Sequence, residues 1–522
     1  MQPVSADWIT AHKQNFLPAS NVIIQVKAVD TAASSVYVTE SEGVMDFSDG
    51  DICDNQGRND AYVSLEENAL ELNGVYPVYN NFLTSPYKYN EYRSANLSGA
   101  DGTFATPITL TVHATGGGAL PGLTIQWSKA FNQFPNAFDI EVKNGGTTVA
   151  TASVTGNTSV VTHTALSGVT AWDTAIITIT EWCLPYCLAR CEFIWLGAVF
   201  EFESKDIMSF EHSQFGDMLS FQLPASQVSW EIDNHDGSWD ILNPSGLSAF
   251  LTEREEVNVK YGYVLGEHNE YEYIPCGKFY LSEWDVPQNG NVARFVAVDA
   301  VQIMNVPFPR ASISNKTPKA IAESVMARYS FGYDFTDLDD THPASFATGA
   351  LETYTDAEVL QMCASASNCV LYVDRDGVIT AKAYTPTTPD PDDDPNIDLF
   401  NSYEFAQIEM DAECKEVIEN YGVGGAWTYS VSPKGITEEV SNPIIGAMGA
   451  GIGTVAQANG AWIGGVLANR KIARGQYRPD IRLDVFDTVT LTTKYGTMNI
   501  CITSVKYSYN GAFRGEYEGR EV

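Results

Sequence analysis

Residues 182–197 read WCLPYCLARCEFIWLG, placing Cys183, Cys187 and Cys191 four apart. Thiolates in a row raise two chemistries, a metal centre and a redox centre. A structural zinc site takes four thiolate or imidazole ligands, usually with two residues between paired cysteines. Here three residues separate each pair, Pro185 interrupts the first, and no histidine lies within 19 residues. On a strand, residues four apart share a face, so the three thiols read more simply as small core-facing side chains. The chain holds nine cysteines and opens on MQPVSADWITAHKQNFLP, without the basic and apolar regions of a secretory signal. Reduced thiols are therefore expected, not a disulfide framework.

Other chemistry is sparse. The 66 carboxylates make paired acids uninformative, and the histidines at 12, 113, 163, 212, 235, 268 and 342 include no HExxH pair. No GxSxG elbow and no GxxxxGK[ST] loop occur. Gly451-Ile-Gly453-Thr-Val-Ala456 matches part of a dinucleotide fingerprint, but no strand precedes it. Asp49, Asp51 and Asp54, and separately Asp233 and Asp236, could hold calcium. Neither set follows the twelve-residue loop closed by a bidentate Glu, so turn-forming aspartates are the simpler reading. The expectation is a protein with no catalytic site, no cofactor and no metal.

The elements that would position any site are mainly strands. VIIQVKAV (22–29), ITLTVHA (108–114), FDIEVKN (138–144) and DVFDTVTLTT (484–493) alternate apolar and polar residues. Two helices carry capping signals. One starts at Thr317-Pro318 and runs to about residue 328; the other starts at Thr355, with Glu358 completing a capping box, and runs to about residue 367. VLYVDRDGVITAKAY predicts a hairpin turning at Asp374–Gly377, and TPTTPDPDDDPN (385–396) reads as a surface loop. Residues 443–468 are long enough to span a bilayer, but seven glycines dilute them; they predict a Gly-rich loop leading into a helix near 454–474, packed through Val455, Trp462, Val466 and Leu467. The net charge of −36 opposes any role that neutralises phosphates, so no specific nucleic-acid binding is expected, although an acidic wall suits DNA that must slide past.

Residues 196–308 are more specific. Leu223-Pro224 through Asn234, Asn243-Pro244-Ser245-Gly246, the strand Val257–Gly262, Gly277-Lys278-Phe279-Tyr280 and Ala297-Val298-Asp299-Ala300 follow one another in an order that resembles the first tube-like domain of phage tail hub proteins. WIGGVLANRKIARGQYRPDIRLDVFDTVTLTT and the hairpin turn Tyr509-Asn510-Gly511-Ala512-Phe513 resemble the end of a second hub domain, in which a strand reaches a DxV turn. The resemblance implies a mainly β, multidomain fold. Residues 1–44 and 196–308 would form a first hub-type β-barrel, 309–400 a small α/β domain, and 401–522 a second barrel carrying the helix near 454–474.

Residues 45–195 would then be an insertion. YVSLEENALELNG (62–74) and the strands after residue 123 resemble a discoidin-like jelly roll of phage tail proteins, closing on the W-x-L-P of Trp182 to Pro185. Such modules often bind glycans, so Tyr76, Tyr79, Tyr87, Tyr89 and Tyr92 are candidate glycan or subunit contacts. By resemblance, the chain is expected to be a homotrimeric tail-tip or baseplate hub that joins the sixfold tail tube to the threefold tip and lets DNA pass. Its partners would be a distal tail or tube protein, a tape measure protein and tail fibres or spikes. It would sit in the virion after assembly in the bacterial cytoplasm. The alternative is an adhesion component that binds a host surface glycan through the 45–195 sandwich.

Overall fold

The computed structural model describes residues 2–14, 19–29, 34–41, 92–129, 131–240, 242–243, 247, 251, 253–265, 270–287, 290–389, 396–420 and 425–522. The protein is mainly β and multidomain. Two units emerge. The first comprises Met1–Gln25, Phe202–Ala249 and Glu253–Val522; the second comprises Val26–Glu201 and Phe250–Thr252.

The second unit is built from antiparallel strands. Its five-stranded sheet runs in the order Ser34–Glu40, Thr103–Gly117, Trp172–Trp182, Pro135–Asn144 and Thr147–Thr155. A three-stranded sheet of Phe193–Trp195, Gly122–Gln126 and Val161–Ala165 shares its core. The alternation of ITLTVHA and FDIEVKN is realised as burial: Ile108, Leu110 and Val112 point inward with Phe138, Ile140 and Val142. Each such side chain contributes about 1.5–3 kcal/mol. Trp127 sits edge-on to both Phe138 and Trp182, with ring centroids 5.2 and 6.2 Å away.

In the first unit, strands of residues 207–298 and of 407–521 belong to one hydrogen-bonded sheet. Its order within the unit is Glu256–Leu265, Glu270–Asp285, Val292–Val298, Ala225–Asp233, Ile207–Phe215, Gly496–Tyr509, Phe513–Glu521, Lys471–Tyr477 and Gln407–Met410. The join is the antiparallel pairing of Ile207–Phe215 with Gly496–Tyr509, from Phe210 opposite Tyr509 to Phe215 opposite Ser504. The predicted strand 484–493 starts later, at Thr488. Residues 484–487 turn instead: the Asp484 amide donates to Asp487 Oδ2 at 2.9 Å, and Phe486 has φ +68°. The Phe486 ring fills the place a side chain at Gly216 would need, since a Cβ there would lie 2.5 Å from it.

Both predicted helices form. Thr317 caps Pro318–Met326 by accepting from the Ala320 amide, and Thr355 with Glu358 makes the two-way capping box of Asp356–Ala366. They pack with the hairpin Cys369–Val373/Ile379–Ala383 around a core that also takes in Ile444, Ile445, Met448, Val455 and Ala456. The Gly-rich stretch is the helix Ile452–Ala468. It lies on a three-stranded sheet whose centre is Cys414–Asn420. Gly460 and Gly464 permit that approach: a Cβ on Gly464 would meet Val431 and Tyr429 within 3 Å. Glycine there serves close packing, and among the described residues no helix is long and apolar enough to cross a membrane. The helix stops before residue 474 because Lys471–Tyr477 is a strand paired on both sides. Val455 and Ile463 are its buried apolar anchors, while Trp462, Val466 and Leu467 are half-buried.

Candidate assembly interface

The three cysteines do not converge. Cys183 follows the end of Trp172–Trp182, Cys187 lies in the turn after Tyr186, whose φ is +57°, and Cys191 ends the strand Leu188–Cys191. Their contacts diverge too. Cys183 Sγ accepts from the Phe134 amide at 3.4 Å, whereas Cys191 Sγ faces the Gln126 carbonyl at 3.7 Å. Burial raises the Cys183 thiol, which holds it neutral. Cys187 and Cys191 are fully buried in the sandwich core. Among the described residues no group of three His, Cys, Asp or Glu is placed to hold a metal ion. Asp233 pairs with His235 and Asp236 with Ser238, as turn-forming aspartates do. Asp49, Asp51 and Asp54 lie outside the described residues. So do Tyr76, Tyr79, Tyr87 and Tyr89. Tyr92 is described and is wholly buried in the core of the second unit, where a glycan or another subunit does not reach it.

A polar cluster that sequence spacing does not announce lies in the first unit. Cys276 Sγ is 3.2 Å from His212 Nδ1 and donates to Tyr261 Oη at 2.9 Å, and His212 Nε2 faces Ser226 Oγ at 3.2 Å. A thiol and an imidazole at this distance suggest a nucleophile with its base. The electrostatics run the other way. Burial pushes the His212 imidazole down to about 3 and the Cys276 thiol up to about 12, so both are neutral and sealed from solvent.

Beside it, the predicted DRDG turn does more than reverse the chain. Arg375 is buried; its Nε donates to Asp484 at 2.7 Å and its Nη atoms donate to the carbonyls of Pro275, Ile481 and Leu483. The guanidinium thus fixes the arm 480–487 to the strand Glu270–Asp285. A second tie joins that arm to the first helix, Ala6–His12. Arg482 pairs with buried Asp480 at 2.6 Å, His12 Nε2 lies 3.8 Å from the same carboxylate, and Arg478 donates to the His12 carbonyl at 3.1 Å.

Among the described residues, the large sheet of this unit ends at an open edge. Gln407–Met410 pairs with Lys471–Tyr477 on one side, and it ends the sheet on the other. The segment before it runs along the same neighbour, with the Tyr403 amide donating to the Gln476 carbonyl at 3.3 Å. All four residues of the strand are exposed, so neither of its faces is covered. Ile408 is 40% and Met410 60% exposed, and Leu399, Phe400, Tyr403 and Phe405 are exposed just before them. The one charge on the strand, Glu409, is matched by Arg474, which also pairs with Glu518. Beside Tyr403 opens a cavity of about 490 Å³ lined by Gln476, Lys506, Ser508, Arg514 and Glu516. Soluble chains usually guard such an edge with lysine, proline or a bulge. This one carries apolar side chains in their place.

In fold, the chain is similar to phage tail proteins. The 43 kDa tail protein of prophage MuSo2 from Shewanella oneidensis matches at 11% identity and TM-score 0.42, over 62% of this chain and 94% of that one. A tail protein from Neisseria meningitidis matches at 11% identity and TM-score 0.43, over 62% and 93%. A type VI secretion component from E. coli, described as similar to phage T4 tail proteins, matches at 11% and 0.36, over 61% and 74%. Likeness this distant does not transfer a role. No family model matches the sequence, and no curated protein does.

Sequence reasoning missed the edge. LFNSYEFAQIEM (399–410) alternates apolar and polar residues only over its last five, Ala406 to Met410, after a proline- and aspartate-rich tract. That short alternation was the available signal. His212, Tyr261 and Cys276 gave none, because their proximity depends on three different strands.

Proposed function

We propose that the chain is a structural, non-catalytic component of a phage or phage-like tail, a tip or baseplate hub that assembles with copies of itself through the edge at Gln407–Met410. The observation that carries this reading is that edge, exposed on both faces and bearing Ile408 and Met410 with no lysine or proline to guard it. Adding a strand from a neighbour would satisfy its free backbone groups and cover its apolar side chains together. The ordered stations in 196–308 and 471–513 support the hub assignment. They also support a trimer linking a sixfold tube to a threefold tip, with tube, tape measure and fibre or spike proteins as neighbours. The net charge of −36 suits a lumen through which DNA passes without adhering. The neutral, buried state of the Cys276–His212 pair supports a non-catalytic role.

Electron microscopy of the purified full chain tests the reading. A threefold ring with a central channel is expected. Single particles of one chain, at concentrations where tail proteins assemble, would contradict it.

A further inference from the structure

A second site lies elsewhere in the first unit and does not depend on the edge. The middle strand of the three-stranded sheet, Cys414–Asn420, buries Cys414 and Val417 against the helix Ile452–Ala468. The next inward position on that face is Glu419, only 1% exposed. Among the described residues, its carboxylate accepts one hydrogen bond, from the Asn442 backbone amide at 3.2 Å, and its buried Oε2 makes none. An ionised oxygen left so would be costly. Glu419 lines a cavity of about 340 Å³. Phe221, Met362 and Pro443 supply apolar wall, and Glu358, Glu438 and Glu439 add negative charge.

We propose that this cavity is a socket for the cationic head of a basic side chain, a guanidinium or ammonium carried by a partner protein. The acidic walls select positive charge, and Oε2 of Glu419 is the acceptor without a partner. The apolar walls suit a methylene stem, as long basic side chains present one. A divalent ion fits less well, because no three acidic or histidine groups are placed to share it among the described residues. The other titratable groups lining the cavity are Glu358 from Asp356–Ala366, Glu438 and Glu439 from Ile436–Val440, and the Tyr354 phenol. None of them is a cation, so among the described residues the lining of the socket supplies no counter-charge. Burial raises the Glu419 carboxyl to about 7. Protonation removes the acceptor charge, so the cation is held above that pH and released below it.

Ligand-observed NMR on the full chain tests this with N-acetyl-arginine amide and its uncharged isostere N-acetyl-citrulline amide. The arginine probe is expected to bind and the citrulline probe to bind at least about tenfold more weakly. Glu419→Gln, which keeps the shape, should weaken the arginine probe about tenfold or more while the unfolding midpoint is retained. Wild-type affinity should fall about tenfold between about pH 8 and about pH 6. Equal binding of the two probes, no binding of the arginine probe, or unchanged affinity in Glu419→Gln would overturn the proposal. Calcium binding that Glu419→Gln abolishes, without arginine binding, would overturn it too. None of these results would bear on the edge strand.

Discussion

Each unit ends a sheet with a strand that has one neighbour, and the two strands are built differently. In the second unit, Thr147–Thr155 reads TTVATASVT. Its half-buried positions, Ala150, Ala152 and Val154, pack on the core, and its outward positions are mostly threonine and serine. Ser153 and Thr148 donate to Asp139 and Glu141 on the neighbouring strand, so the outer face is polar and satisfied. In the first unit, Gln407–Met410 has no inward face at all, and two of its four exposed side chains, Ile408 and Met410, are large and apolar. One edge is finished for water; the other is finished only when something covers it. The charge balance of the whole chain gives no hint of this, because the difference lies in about a dozen residues.

The comparison can be broken at several points. The largest effect is expected at the frame that holds the first edge. Arg375→Met removes the buried cation that pairs with Asp484 and donates to three carbonyls, and should cost about 3–5 kcal/mol in denaturant unfolding. A cost under about 1 kcal/mol would show that the arm 480–487 is held otherwise. Next, Ile408→Lys with Met410→Lys gives the first edge the guard it lacks. Both side chains are exposed, so folding stability should move by no more than about 0.5 kcal/mol. Self-association should weaken by about a hundredfold or more in sedimentation. The reciprocal change, Thr151→Ile with Ser153→Ile, should make the second edge associate where it did not.

Acid should act on the second unit through His163. Burial lowers its imidazole to about 4, so the folded form is neutral while the unfolded chain takes up a proton near 6.5. Stability is therefore full above about pH 6.5 and falls by about 1–3 kcal/mol as pH drops toward about 4. His163→Gln should flatten that slope in unfolding curves taken across the range. A smaller loss, about 1 kcal/mol, is expected for Thr355→Ala, which removes one half of the capping box. The smallest effect is none: chelation by EDTA should leave the unfolding midpoint unchanged, because Cys183, Cys187 and Cys191 point to different partners.

Much of the scaffold could be read from the chain, because local physics decides it. Alternation gave the sandwich strands, and caps gave the two helices. Asp374 and Gly377 gave the hairpin turn, where the Gly377 amide donates back to the Asp374 carbonyl at 3.0 Å. What could not be read depends on distant pairing. That residues 207–215 and 496–509 share one sheet is set by packing across about 290 positions. The burial of Arg375, in a turn that looks like surface, comes from the same cause. The candidate site was the least legible part. Tyrosines in a polar loop suggested stacking on a ligand, and Tyr92 turns out to be core. The exposed Ile408 and Met410 sit in a short alternating run that reads as half-buried, and exposure is a property of the fold rather than of the residue. Glu419 did carry a faint mark: it is a charge at the position where CKEVIEN should continue an apolar face.

The mass of the full chain in solution, compared with that of Ile408→Lys/Met410→Lys, tests the central claim most directly. The account predicts three times the chain mass for the wild type and a single folded chain for the variant. A wild type that stays monomeric at high concentration, or a variant that assembles as the wild type does, would contradict it.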